Sequence, residues 1–338
     1  MRERNLWLKQ LAAAVCALAM VCAAAFAPVG AARSESPLPV QPAAAEPLCT
    51  DGMEAELLSA LLAAHPDRGY EYTLSLCGQQ VSSRQTVLTL EGEVTPEMVQ
   101  ELKRWLPCLP ALEQVDMYDA ALPDEDMAYL HAAYPGIRFG WTLSLGKWTV
   151  RTDAEAFSTL QSQNSKRYDS RHFEKLRYCY QLKALDLGHN SLTDLSFLQD
   201  LPQLRVLILA DNKIDDITPL AQLPELQYVE LFMNRISDLS PLAGHTRLLD
   251  LNLTYNRVSD PSPLLTCTGL ERIWIGHNRV ERAQRKELIA AFPGGEIIYA
   301  NDDTGSTGHG WRTHPRYEVI REIFRTGVYL PFEAVPAE

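Results

Sequence analysis

Between residues 182 and 280 the apolar positions recur with a period of 22. Leu182, Leu204, Leu226, Leu248 and Leu270 open five units. Leu185, Leu207, Val229, Leu251 and Ile273 follow three residues on, and Leu187, Leu209, Leu231, Leu253 and Ile275 two further. Then comes an unbroken column of asparagines, Asn190, Asn212, Asn234, Asn256 and Asn278. An aliphatic column closes the half-unit: Leu192, Ile214, Ile236, Val258 and Val280. The L-x-L alternation predicts a short strand with both leucines on one side. One such strand cannot bury its face alone, so the units must stack.

The pattern L-x-x-L-x-L-x-x-N-x-L in five phased copies is identified as a leucine-rich repeat. The asparagine ends each strand where the chain turns inward. Its amide can satisfy backbone groups of its own and the neighbouring coil that would otherwise be buried unpaired. The second half-unit repeats as well. Asp194-Leu195, Asp216-Ile217 and Asp238-Leu239 are followed by Leu198, Leu220 and Leu242, with Pro219, Pro241 and Pro263 before the last leucine of their units. Twenty-two residues leave no room for a long helix, so short 3₁₀ turns are expected on the convex side. This half resembles the internalin-type repeats of bacterial surface proteins, over about residues 160–290. The sequence departs from that family in its amino-terminal region and in having no LPxTG-type sorting signal. Host-cell adhesion is therefore not implied.

The expected fold class is α/β: a leucine-rich-repeat solenoid with parallel strands on its concave face, irregular α/β coils before it and a carboxy-terminal cap. Residues 49–159 are not regular repeats but contain a duplication at an offset of 69. Leu61–Pro66 matches Leu130–Pro135, and Tyr72–Leu76 matches Trp141–Leu145. Each copy predicts a helix ended before proline and then a strand. Between them the pattern predicts a strand near 86–90, a helix near 96–106 opened by Thr95-Pro96, and a strand near 112–117. These elements either continue the repeat sheet, the reading favoured here, or form a small α/β domain. Ser170–Tyr180 is expected as a helix leading into the first full repeat. A unit beginning at Leu160 would lack its strand half, because 161–168 is polar. After the repeats, 288–293 and 296–299 echo the helix and strand. A loop follows, then a helix near 315–324 with Tyr317, Ile320, Ile323 and Phe324 on one face. It is expected to cap the last coil.

Charge narrows the partners. The formal net charge is −12. Residues 1–32 hold Arg2, Arg4 and Lys9 against Glu3, so the remainder is more acidic still. That argues against nucleic acid or an anionic membrane surface as partner. The basic start, the uncharged run from Leu11 to Ala27 and the small residues Gly30-Ala31-Ala32 read as a signal peptide over 1–32. Uncleaved, the same run would anchor the chain in a membrane. Residues 33–48 are rich in Pro, Ala, Ser and Glu and read as a disordered linker. The expected location is secreted or at the extracellular cell surface. Outside the leader, Cys179 and Cys267 fall in an apolar column and are expected to be buried. Cys49 and Cys77 could pair in an oxidising compartment, or all could be free thiols.

No P-loop, G-x-S-x-G, H-E-x-x-H or G-x-G-x-x-G stands in a fitting context, so no enzyme activity, cofactor or metal is expected. His309 and His314 lie near Asp302 and Asp303, but in loop sequence, where polar loop residues are the simpler reading. The concave positions carry the functional signal. Tyr228, Phe232, Met233, Tyr255 and Trp274 are large and apolar or aromatic where a solvated sheet needs none. With Glu230, Asp250 and His277 they form the expected binding face for a protein ligand. The competing reading is that the carboxy-terminal tail folds over this face and hides it. Two other classes stay open: an envelope-tethered structural scaffold, and a carbohydrate-binding module stacking sugars on Trp274 and Tyr255.

Overall fold

A computed structural model describes residues 46–332 apart from 67, 93, 118–122, 161–165 and 300–309. The expected leader, and the linker up to residue 45, lie outside the described residues, as do Asp302, Asp303 and His309. The amino-terminal part opens with a two-residue strand, Glu46–Pro47, paired in parallel with Tyr70–Glu71, and holds α1 (Ala55–Ala64) and an antiparallel hairpin of β1 (Thr73–Leu76) and β2 (Gln79–Ser82). Then come β3 (Val87–Thr89), α2 (Pro96–Trp105), β4 (Gln114–Met117), α3 (Asp124–Ala133), β5 (Arg138–Leu145) and β6 (Trp148–Arg151). At the start of α2, the Thr95 hydroxyl accepts from the Met98 N–H at 3.3 Å, and Pro96 occupies the first turn.

The duplication survives in three dimensions. α3 lies 69 residues after α1, end for end. Thr73 pairs with Ser82 in the first hairpin, and Thr142, 69 residues on, pairs with Arg151 in the second. β3 to β6 make a four-stranded sheet of their own, parallel up to β5 and closed by an antiparallel β6. They do not pair with the repeat sheet, so continuity fails in the hydrogen-bond ladder. It holds in the core: one apolar cluster runs from Ala55 to Phe292.

The repeat sheet has seven parallel strands. They are β7 (Ala156–Ser158), β8 (Ala184–Asp186), β9 (Val206–Ile208), β10 (Tyr228–Glu230), β11 (Asp250–Asn252), β12 (Arg272–Trp274) and β13 (Glu296–Ile298). The register steps by 22 from Ala184 to Arg272. The first step, Ala156 to Ala184, is longer. The unit expected to begin at Leu160 without a strand therefore begins earlier, and its strand precedes the polar stretch. At the far end α4 (Arg282–Ala291), opened by a Glu281–Gln284 capping box, leads into β13. Short 3₁₀ turns fill the convex side at 196–200, 218–222, 240–242 and 262–266, and Ser170–Tyr178 is likewise 3₁₀.

The aspartates of the convex motif explain these turns. Asp194, Asp216, Asp238 and Asp260 each accept the N–H two residues on, at 2.8–2.9 Å. This local bond starts the tight turn. Among the described residues no helix is long and apolar enough to cross a membrane.

Candidate functional site

Each asparagine of the ladder ties its own coil to the one before it. The Asn234 amide donates to the Leu209 carbonyl at 2.9 Å and the Leu231 carbonyl at 3.1 Å, while its oxygen accepts from the Ile214 N–H at 3.1 Å. Asn212, Asn256 and Asn278 repeat this set one coil apart. Asn190 substitutes the Tyr168 N–H and the Thr159 hydroxyl at the first coil. The residue before each asparagine, His189, Asp211, Met233, Tyr255 or His277, has φ between 52° and 60°. The chain thus turns through the left-handed region at the end of every repeat strand from β8 to β12.

The concave face is occupied. Every residue of β8 to β12 is buried, on both sides of the sheet. The middle residues point into the solenoid core, and their neighbours face a second apolar cluster. That cluster is completed by Trp311, Ile320, Ile323, Tyr329 and Phe332 from the carboxy-terminal segment. Its helix α5 (Pro315–Thr326) begins where His314 Nδ1 accepts the Arg316 N–H and ends at Gly327, φ 75°. The expectation that this segment caps the last coil is corrected. It crosses the concave face back to the first strand, where the Tyr329 N–H donates to Glu155 at 3.1 Å, while the Tyr329 hydroxyl donates to Gln227, just before β10, at 3.1 Å.

Five of the expected partner contacts, Tyr228, Glu230, Phe232, Asp250 and Trp274, are therefore buried against their own chain. The Trp311 ring lies 5.2 Å from Tyr228 and 5.0 Å from Trp274. Its indole N–H donates to Glu230 at 3.1 Å, and Arg312 reaches the other oxygen of that carboxylate at 3.2 Å. Arg316 grips Asp250 through two nitrogens, at 2.7 and 3.0 Å, and Glu271 at 2.7 Å. Met233, Tyr255 and His277 stay at the more open margin, with Tyr255 and His277 stacked at 3.8 Å. Trp274 offers no platform for a sugar: Trp311 packs on it, and the Arg272 guanidinium stands 4.7 Å from its ring.

The site is electrostatically dense. Burial pushes the Asp186 carboxyl up to about 7; the Gly188 N–H opposes this and Glu230 adds to it. Burial also drives the Tyr228 phenol well above its usual range, with Glu230 and Asp250 adding to the effect. For Arg312 and Arg316 burial works against the charge, but their carboxylate partners outweigh it and raise both. His314 is lowered, by burial and then by Arg272 and Arg316. Sequence reading missed Trp311, Arg312 and Arg316 as groove contacts. Three cations or aromatics entering an acidic face was the available signal. Among the described residues no group of three or more His, Cys, Asp or Glu is placed to hold a metal, and Cys49, Cys77, Cys108, Cys179 and Cys267 are free thiols.

The family described as leucine-rich repeats (2 copies) matches this chain at residues 180–222 and 202–244. Residues 182–280 are leucine-rich repeats. Three solved structures are similar to parts of the chain. An internalin (inlF) from Listeria monocytogenes is 19% identical over 59% of this chain and 65% of its own, with a TM-score of 0.39. Internalin C2 from the same species is 24% identical over 64% of this chain and 78% of its own, TM-score 0.36. A leucine-rich-repeat protein from Leptospira interrogans is 18% identical over 61% and 52%, TM-score 0.40. The chain thus spans just under two thirds of the first of these and about half of the last. No curated protein matches the chain.

Proposed function

We propose that this chain is a noncatalytic protein-binding module, acting outside the cytoplasm, whose partner is taken on the concave face of the repeats. Leucine-rich-repeat folds typically serve protein interaction. The observation that carries the reading is the chemistry of the groove. Two buried carboxylates, Glu230 and Asp250, stand among the aromatic rings Tyr228 and Trp274, and they are met by one indole and two guanidinium groups. Aromatic and arginine anchors are the residues that dominate protein interfaces. A polypeptide supplies both on one strand of chain. Secretion is supported by the basic start and apolar run of residues 1–32.

The test uses the full chain as immobilised bait against the medium and envelope of the source cells. Capture should be lost in Glu230→Gln/Asp250→Asn and kept in Gln222→Ala, an exposed convex position. Equal capture by all three baits, each still folded, removes the concave-face assignment. The amino-terminal mass of the exported protein tests the location: cleavage should fall near Ala32.

A further inference from the structure

We infer that residues 311–332 are a displaceable internal occupant of the concave groove, and that the external partner is a peptide segment of the same chemistry: an aromatic side chain flanked by guanidinium groups. The inference rests on the concave-face reading above and adds the partner class and its regulation.

Three observations converge. First, the groove floor depends on the segment for its charge balance. Besides Trp311 and Arg312, Glu230 meets the Tyr228 hydroxyl at 3.2 Å. Besides Arg316, Asp250 meets Arg272 at 3.5 Å, a long contact. Remove the segment and both carboxylates lose their guanidinium partners or the shorter of them. Whatever replaces it must bring positive charge, because a buried unpaired carboxylate is strongly disfavoured. Second, the fit is incomplete. Asn252 Nδ2 and Thr254 Oγ1, on and just beyond β11, are buried with no hydrogen-bond partner, and so is Arg312 Nε on the segment itself. Asn252 lies in register between Glu230 and Trp274 on the groove floor. A carbonyl-bearing chain laid there would satisfy the amide; the indole and aliphatic side chains of the present occupant do not. Third, the segment belongs to a separate apolar cluster. The solenoid core, from Ala55 to Phe292, contains no residue of 311–332. Its departure opens the second cluster and leaves the first closed.

A segment held by good charged contacts over an imperfectly satisfied floor is suited to exchange. An external ligand with the same anchors and a better-placed acceptor for Asn252 competes on favourable terms.

Hydrogen exchange on the unmodified protein tests displaceability. The α5 amides should exchange at least tenfold faster than those of β9, β10 and β11, reporting an opening that leaves the repeats folded. Equal rates would mean that the segment leaves only on global unfolding, and the inference fails. The second test adds a labelled synthetic peptide of residues 310–332. It should bind the full chain carrying Trp311→Ala/Arg316→Ala at least tenfold more tightly than the unmodified chain, whose groove is filled. Adding Glu230→Gln/Asp250→Asn should abolish that binding. Equal affinity for both chains, or no binding to a doubly substituted chain whose strands remain folded by circular dichroism, overturns the proposal. Should that variant not fold, the exchange rates of the unmodified chain decide alone. The peptide is this chain's own, so these outcomes are separate from whether an outside protein is ever captured.

Discussion

One asparagine side chain closes three backbone bonds at each step of the solenoid, and Asn234 stands in the middle of the ladder with a rung on either side. Asn234→Ala leaves the Leu209 and Leu231 carbonyls and the Ile214 N–H without those partners. The expected loss is about 1–3 kcal/mol. Thermal melting measures it, and an unchanged Tm would show that the ladder does not hold the coils. Asp186 gives a pH-dependent counterpart. Its carboxyl titrates near 7 when folded, against an ordinary value of 3.8. The native state thus binds the proton more tightly than the unfolded chain. Stability is full below about 4 and falls as pH rises towards 7, by up to about 1.4 kcal/mol per pH unit from this one site. Asp186→Asn keeps an oxygen for the Gly188 N–H. It should remove that slope and stabilise the protein at neutral pH; a retained slope in denaturant melts at pH 5 and 7 would place its cause elsewhere. Cys179 and Cys267 should resist thiol reagents without denaturant, since burial raises both thiols. The buried column they occupy was legible in the sequence. His245 was not: it fills the same column in the third unit, and its two ring nitrogens lie 3.0 Å from the Leu242 and Leu220 carbonyls. A histidine in a leucine register carries no apolar signal, and only the coil geometry shows why it fits.

At the scale of elements, regular spacing was readable and its exceptions were not. The strands β8 to β12 and the convex turns follow from period and proline placement. β7 was missed because Ala156-Phe157-Ser158 carries one large apolar residue and stands 28 residues before its partner. The apolar stripe of α5 was legible, but its seat was not, since a stripe does not name the surface that it covers. The two hairpin turns carry their glycines one position apart: by the 69-residue offset Gly146 matches Cys77, and Gly78 matches Lys147. Gly78 and Gly146 both have positive φ, at 75° and 68°. A Cβ on Gly78 would meet nothing within 4 Å, whereas one on Gly146 would stand 2.6 Å from the His172 ring. That ring is itself fixed by a 2.9 Å contact with the Leu145 carbonyl. Gly78→Ala should therefore cost only its backbone strain, about 1 kcal/mol. Gly146→Ala should cost more, about 2–3 kcal/mol. Chemical denaturation of the two variants decides, and equal losses would mean that His172 moves aside freely.

The four-stranded amino-terminal sheet and the seven-stranded repeat sheet share one apolar core, and the junction between them decides how the described chain unfolds. The 3₁₀ segment Ser170–Tyr178 bridges them. Phe173 and Leu176 are fully buried in the shared cluster. Beside them the Tyr180 hydroxyl accepts the Phe139 N–H at 3.1 Å, its ring stacks on His131 at 4.1 Å, and Cys179 points its thiol at the Arg151 carbonyl. Solenoid stability is close to a sum over neighbouring units and their interfaces. A junction as well packed as this couples the amino-terminal sheet to the repeats as one unit couples to the next. Calorimetry should accordingly give a single transition for both regions. Phe173→Ala removes the central ring of the junction, at an expected cost of about 3–5 kcal/mol. It should lower the melting of both regions and separate them, with the amides of β3 to β5 losing protection before those of β9 to β11. If the unmodified protein already melts in two steps, or if Phe173→Ala lowers only the repeats, the shared core does not transmit stability across the junction.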